Sequence, residues 1–192
     1  MPYYFVRVNG NTSHNNPNDV ACYVQGEPPR FPVTYFNYYR YCLNNKIVRI
    51  GWPDVGDILA GNKVGALATC YDLYNIDNDP IKTRRIIKEY LVPFSQIPLK
   101  SIILMPNKDN PGELYCGEVI KTYWYHHNIP ADPYECSHRV GVEWDRDGNK
   151  NPIIYHASQF NMSTRGTPFA KAFCEIKKED IIKAIHRVRL NK

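Results

Sequence analysis

The sequence predicts an α+β domain built on a small, curved, mostly antiparallel sheet or partial β-barrel flanked by helices. Three observations predict it. Short β-rich runs crowd together after residue 100, with turns between them. Helical spacing appears in three separated stretches, at residues 33–44, 84–91 and 179–190. The 192 residues suit one domain, and at 43% hydrophobic and 22% charged they carry enough apolar material for a core.

The elements follow in order. Residues 2–9, opening Pro-Tyr-Tyr-Phe-Val, form a first strand. Residues 10–20 are polar turn formers, and residues 26–32 carry three prolines, so both are loops. Tyr35, Tyr38/Tyr39 and Cys42 recur at helical spacing. Ile47 to Ile50 is a short strand, followed by Gly51-Trp52-Pro53-Asp54-Val55-Gly56-Asp57. Residues 84–91 form an amphipathic helix, in a segment (about 60–100) that reads as an insertion into the single domain 1–192. Residues 101–105 are a buried strand stopped by Pro106. A turn over 107–112 leads into a strand from Leu114 to Tyr125, then a proline-bearing loop over 126–137. Arg139 to Trp144 alternates as a strand does, residues 145–149 turn, and residues 179–190 close the chain as a helix with Ile181, Ile182, Ile185 and Val188 on one face.

Composition narrows the function. The net charge of +5 permits a polyanionic partner without demanding one. The 15 Tyr, beside 7 Phe and 3 Trp, are more telling, because a tyrosine ring with its hydroxyl serves core and binding surface equally. No apolar run reaches the length of a membrane span, and the N-terminus reads as a strand, not a signal peptide, so a cytoplasmic protein without a membrane partner is expected. The six cysteines are scattered without a Cys-x-x-Cys pair and read as reduced thiols.

No catalytic set emerges. The chain lacks a phosphate-binding Gly-Lys-Ser/Thr loop, a Gly-x-Ser-x-Gly elbow and a His-Glu-x-x-His pair. His126, His127, Cys136 and His138 fall short of paired zinc-ligand spacing. Asp54 with Asp57, and Glu143 with Asp145, are close carboxylates without a lysine beside them, and the first pair reads as a turn bonding backbone amides. No cofactor and no metal are expected, and a binding module is favoured over an enzyme.

Two stretches carry the remaining signal. Trp52 leaves a strand between Gly51 and Pro53, an arrangement that can project its ring to a pocket edge. Tyr123-Trp124-Tyr125 ends the long strand, and three consecutive rings cannot all point inward because strand side chains alternate. Gly51-Trp52-Pro53 with Gly56-Asp57, Tyr115-Cys116-Gly117-Glu118-Val119, and His138-Arg139-Val140-Gly141-Val142-Glu143-Trp144 together resemble the PUA-like superfamily, in its EVE and YTH branches. They look closest to the base-reading N-terminal modules of McrBC-type modification-dependent restriction systems.

The resemblance implies a nucleic-acid-binding module that holds a flipped, modified (methylated) base in an aromatic pocket. It implies DNA over RNA, in a restriction or defence context, with a nuclease or NTPase subunit or domain as partner. Unstacking costs a few kcal/mol and ring stacking returns about 1–3 kcal/mol per base. Trp52 matches the first wall. Tyr123, Trp124, Tyr125 and Tyr134 are candidates for the second, Tyr125 and Tyr134 foremost, and Asp57 for a polar base edge. Arg49, Lys121 and Arg139 are the expected backbone contacts. Two alternatives stay open: a PUA-like RNA-binding or RNA-processing protein, and a metal-dependent hydrolase using the His126/His127/His138 and Asp54/Asp57 sets.

Overall fold

The computed structural model describes residues 1–8, 38–50, 57–59, 81, 85, 87–107, 110, 112–125, 138–163 and 173–191. Trp52, Asp54, His126, His127, Tyr134 and Cys136 lie outside the described residues.

Among the described residues the chain is α+β. Strand β1 spans Tyr3–Val6, helix α1 Tyr38–Asn44 and β2 Ile47–Ile50. A π-helical turn, Ile87–Leu91, runs into α2, Val92–Ser95. Then come β3 (Ile102–Pro106), β4 (Glu113–Tyr125), β5 (His138–Trp144) and β6 (Tyr155–His156). A 3₁₀ turn (Ala157–Phe160), β7 (Phe173–Glu175) and α3 (Glu179–Leu190) follow.

The strands join in one seven-stranded sheet, ordered β2-β5-β4-β3-β1-β7, with β6 on the start of β4. All pairings are antiparallel except β1 with β3, which runs parallel from Tyr3↔Ile102. Among the described residues the sheet is not closed into a barrel.

Both faces are covered, which explains the strand composition. On one face Val6, Ile103, Met105, Val119, Val142 and Trp144 pack with Cys42 and Leu43 of α1 and with Leu91 and Phe94. On the other, Phe5, Ile102, Leu104, Leu114 and Cys116 pack with Phe160 and with Ile181 and Ile185 of α3. A strand buried on both faces has no polar alternation, so Ile102-Ile103-Leu104-Met105 reads as an uninterrupted apolar run.

The helix read over 84–91 continues past Pro93. Pro93 falls at the second position of α2, directly after the π-helical turn. Glu179 and Asp180 begin α3 and Arg187 and Arg189 end it, charges that complement the helix dipole. No helix among the described residues is long and apolar enough to cross a membrane.

Candidate functional site

The far end of β4 is shaped by two register shifts against β5, between Val119 and Lys121 and between Lys121 and Trp124. Such bulges twist a strand and re-aim its side chains. Beyond them Trp124 pairs with Arg139 and Tyr125 with His138. On the other side of β5, Arg49 pairs with Arg139 and Ile50 with His138. Directly paired residues share a face and successive residues alternate. The predicted site residues therefore divide into two groups, one on each face.

The first group is built on His138, which has no exposed surface. The Tyr123 hydroxyl and His138 Nδ1 are hydrogen-bonded at 3.0 Å, and the two rings stack at 28°. Tyr125, half-buried, meets the imidazole edge-on at 5.5 Å between centroids. Asp57 stands on the same side. Its Oδ1 accepts a hydrogen bond from the Leu59 amide at 3.0 Å, the turn role read for it from sequence. Burial, with the Asp57 carboxylate alongside, raises the Tyr123 pKa far above the ordinary phenol value; an Ile58 amide bond opposes the shift.

The second group is basic and aromatic. Arg49 is 1% exposed and Arg139 6%, and they face each other across β2 and β5. Like charges at directly opposed positions are unfavourable. The Tyr41 ring lies against both, 5.3 Å from the Arg49 guanidinium carbon and 5.9 Å from that of Arg139, and the negative face of an aromatic ring attracts such cations. The exposed Lys121 holds its ammonium 4.2 Å from the centre of the Trp124 ring.

Two consequences follow for the predicted residues. Trp124 and Tyr125 project from opposite faces, so they do not wall one pocket together. Tyr123 is a core ring at 8% exposure, whereas Tyr125 is half-buried. Of the three expected backbone contacts, only Lys121 lies on the surface. Arg49 and Arg139 are buried beneath it as part of the packing.

Sequence reasoning passed over Tyr41 and weighed His138 only as a metal-ligand candidate and as part of the motif that carries the resemblance. The available signal for Tyr41 was its place off the Tyr35–Tyr39–Cys42 stripe. For His138 it was a polar residue on the apolar face of an alternating strand, in line with Val140, Val142 and Trp144. Among the described residues no group of three His, Cys, Asp or Glu side chains could hold a metal ion. In comparison with known proteins, the chain matches no family model and no curated protein.

Proposed function

We propose that this chain is a PUA-like module of the EVE/YTH kind that binds nucleic acid by capturing a modified base, DNA in preference to RNA. In this reading it supplies recognition, and a nuclease or NTPase partner acts on what it finds.

One observation carries the reading. A single strand end presents Tyr125, braced on a buried and hydrogen-bonded His138, while its neighbour Trp124 lies beneath the Lys121 ammonium beside Arg139. Rings backed by rigid partners lose little entropy on binding, and aromatic rings set beside cations are the combination that single-stranded nucleic acid binds. Tyr125 is the proposed second wall. Trp52, two residues past the end of β2, is the proposed first.

The test is binding of the full chain to a panel of methylated, hydroxymethylated and plain DNA and RNA oligonucleotides over a range of salt. Trp52→Ala and Tyr125→Ala should each remove the preference for a modified base, about 5- to 150-fold for a stacking contribution of about 1–3 kcal/mol. Lys121→Ala should weaken all oligonucleotides alike and lower the salt slope by about one. Absence of any preference at low salt overturns base capture. Preference for structured RNA whatever its modification would instead favour the RNA-binding alternative, and metal-dependent cleavage the hydrolase.

A further inference from the structure

The two bulges of β4 have a combined effect on Lys121 and Trp124. Val119 faces Val142 and Lys121 faces Gly141, so two steps along β4 match one along β5. Trp124 then faces Arg139, so three further steps match two. In an unbroken strand Lys121 would share a face with Val119, and Trp124 would lie on the other. The bulges instead set Lys121 and Trp124 together, on the face of Gly141 and Arg139. Gly141 makes room for this, because an added Cβ would lie 2.7 Å from Lys121 Cβ. The Lys121 ammonium then folds back to 4.2 Å from the centre of the Trp124 ring.

The stretch is open. Ile120, Lys121 and Thr122 are exposed in succession, which a strand covered on either face does not show. The pairing with β3 ends where the Lys100 amide donates to the Val119 carbonyl. Among the described residues the Lys121 ammonium meets no carboxylate and the Trp124 indole N–H no acceptor. The Trp144 indole, by contrast, donates to the Cys42 carbonyl. An exposed cation–ring contact adds little stability, while a glycine and two bulges weaken the strand that carries it. The arrangement therefore suits a ligand better than it serves the fold. A cation beside an aromatic face matches one nucleotide, the phosphate drawn to the ammonium and the base stacked on the ring.

We infer that Lys121 and Trp124 form a second stacking site, on the opposite face of β4 from Tyr125, for another nucleotide of the bound strand. Its ammonium leaves the ring for a phosphate and the base takes its place on the indole, whatever the base or its modification. That the chain binds nucleic acid rests on the function proposed above, whereas this site does not need base capture at Tyr125.

The test uses the full chain labelled with 5-fluorotryptophan, its three ¹⁹F signals assigned by Trp→Phe replacement at 52, 124 and 144. Plain and methylated single-stranded DNA should both move the Trp124 signal, and an abasic strand of equal length should not. Trp124→Ala should weaken plain and methylated strands by the same factor, about tenfold, leaving their ratio unchanged. A strand that binds with a preference for the modified base yet leaves the Trp124 signal still overturns the second site, while base capture stands. Equal movement with the abasic strand also overturns it, since phosphate alone would then suffice, and a changed ratio in Trp124→Ala would place the ring in the base pocket instead. Equal binding of plain and methylated strands with the Trp124 signal moved upholds the site while base capture fails. No binding of any strand overturns both. The ¹⁹F shifts are read on the native sequence, so they decide the matter should Trp124→Ala fail to fold.

Discussion

Arg189 on α3 grips Asp145 at the end of β5 through two parallel hydrogen bonds, Nε to Oδ2 at 2.9 Å and Nη2 to Oδ1 at 2.8 Å. Tyr155 donates a third to Oδ2 at 2.9 Å. The Asp145 side chain is 4% exposed and that of Arg189 19%. This fork closes the last helix over the second core and joins residues 44 positions apart. A bidentate guanidinium–carboxylate pair is among the stronger polar contacts a protein makes.

Removing one partner of a buried pair leaves the other charge stranded, at about 3–5 kcal/mol. Arg189 retains some exposure, so Arg189→Met should cost about 3 kcal/mol, read as a lowered urea midpoint. Asp145→Ala should cost a comparable amount, and the double variant much less than the sum. Additive losses, or a loss under about 1 kcal/mol for Arg189→Met, would mean the pair behaves as an ordinary surface bridge.

Stability should fall in alkali. Burial raises the pKa of Tyr123 and Tyr155 above the ordinary value of 10.0, assisted in each case by a neighbouring carboxylate, Asp57 or Asp145. The folded chain thus holds these protons more tightly than the unfolded one. Their stabilisation is complete below pH 10 and is lost as pH rises above it, at up to about 1.4 kcal/mol per pH unit per tyrosine. Urea titrations between pH 9 and 11.5 should show the decline. The slope should shrink in Tyr123→Phe and shrink further with Tyr155→Phe. A double phenylalanine variant with the wild-type slope would contradict the assignment.

Gly117 is required by close approach. It pairs with Trp144, and an added Cβ would come within 2.6 Å of Val142 Cγ1, 2.8 Å of the Glu143 carbonyl oxygen and 2.9 Å of Trp144 Cε3. The carbonyl belongs to the backbone and cannot rotate aside. Gly117→Ala should therefore destabilise by about 1–3 kcal/mol and shift Trp144 fluorescence, since Trp144 Nε1 donates to the Cys42 carbonyl at 3.1 Å. Gly148, with nothing within 4 Å of an added Cβ, is the matched control, and its alanine variant should stay within about 0.5 kcal/mol of wild type. Equal melting temperatures for the two variants would refute the close approach.

Much of the secondary structure was legible because it rests on local pattern. The runs at 47–50, 101–105 and 139–144 and the stripe over 179–190 each bury an apolar face, and all four appear within a residue or so of where the pattern places them. β6 and β7 were not legible. Two or three residues carry no periodicity, and they are strands only because β4 and β1 are there to pair with them.

The exit rings show the same division at the site. Alternation alone required Tyr123, Trp124 and Tyr125 to split between two faces, and Trp124 does part from its neighbours. That Tyr123 is buried while Trp124 and Tyr125 stay half-buried was decided by bulges and by register with β5. Arg49 and Arg139 read as surface cations from their charge, yet the pairing of β2 with β5 sets them face to face under Tyr41 and buries both. Sequence by itself determined which residues could form strands and helices and which face of each would be apolar, because those properties depend on neighbours along the chain. Tertiary structure alone decided that the Tyr123 hydroxyl meets His138 Nδ1, and that Asp145 meets Arg189. Those contacts join residues 15 and 44 positions apart, and only strand register and helix docking bring them within reach of a hydrogen bond.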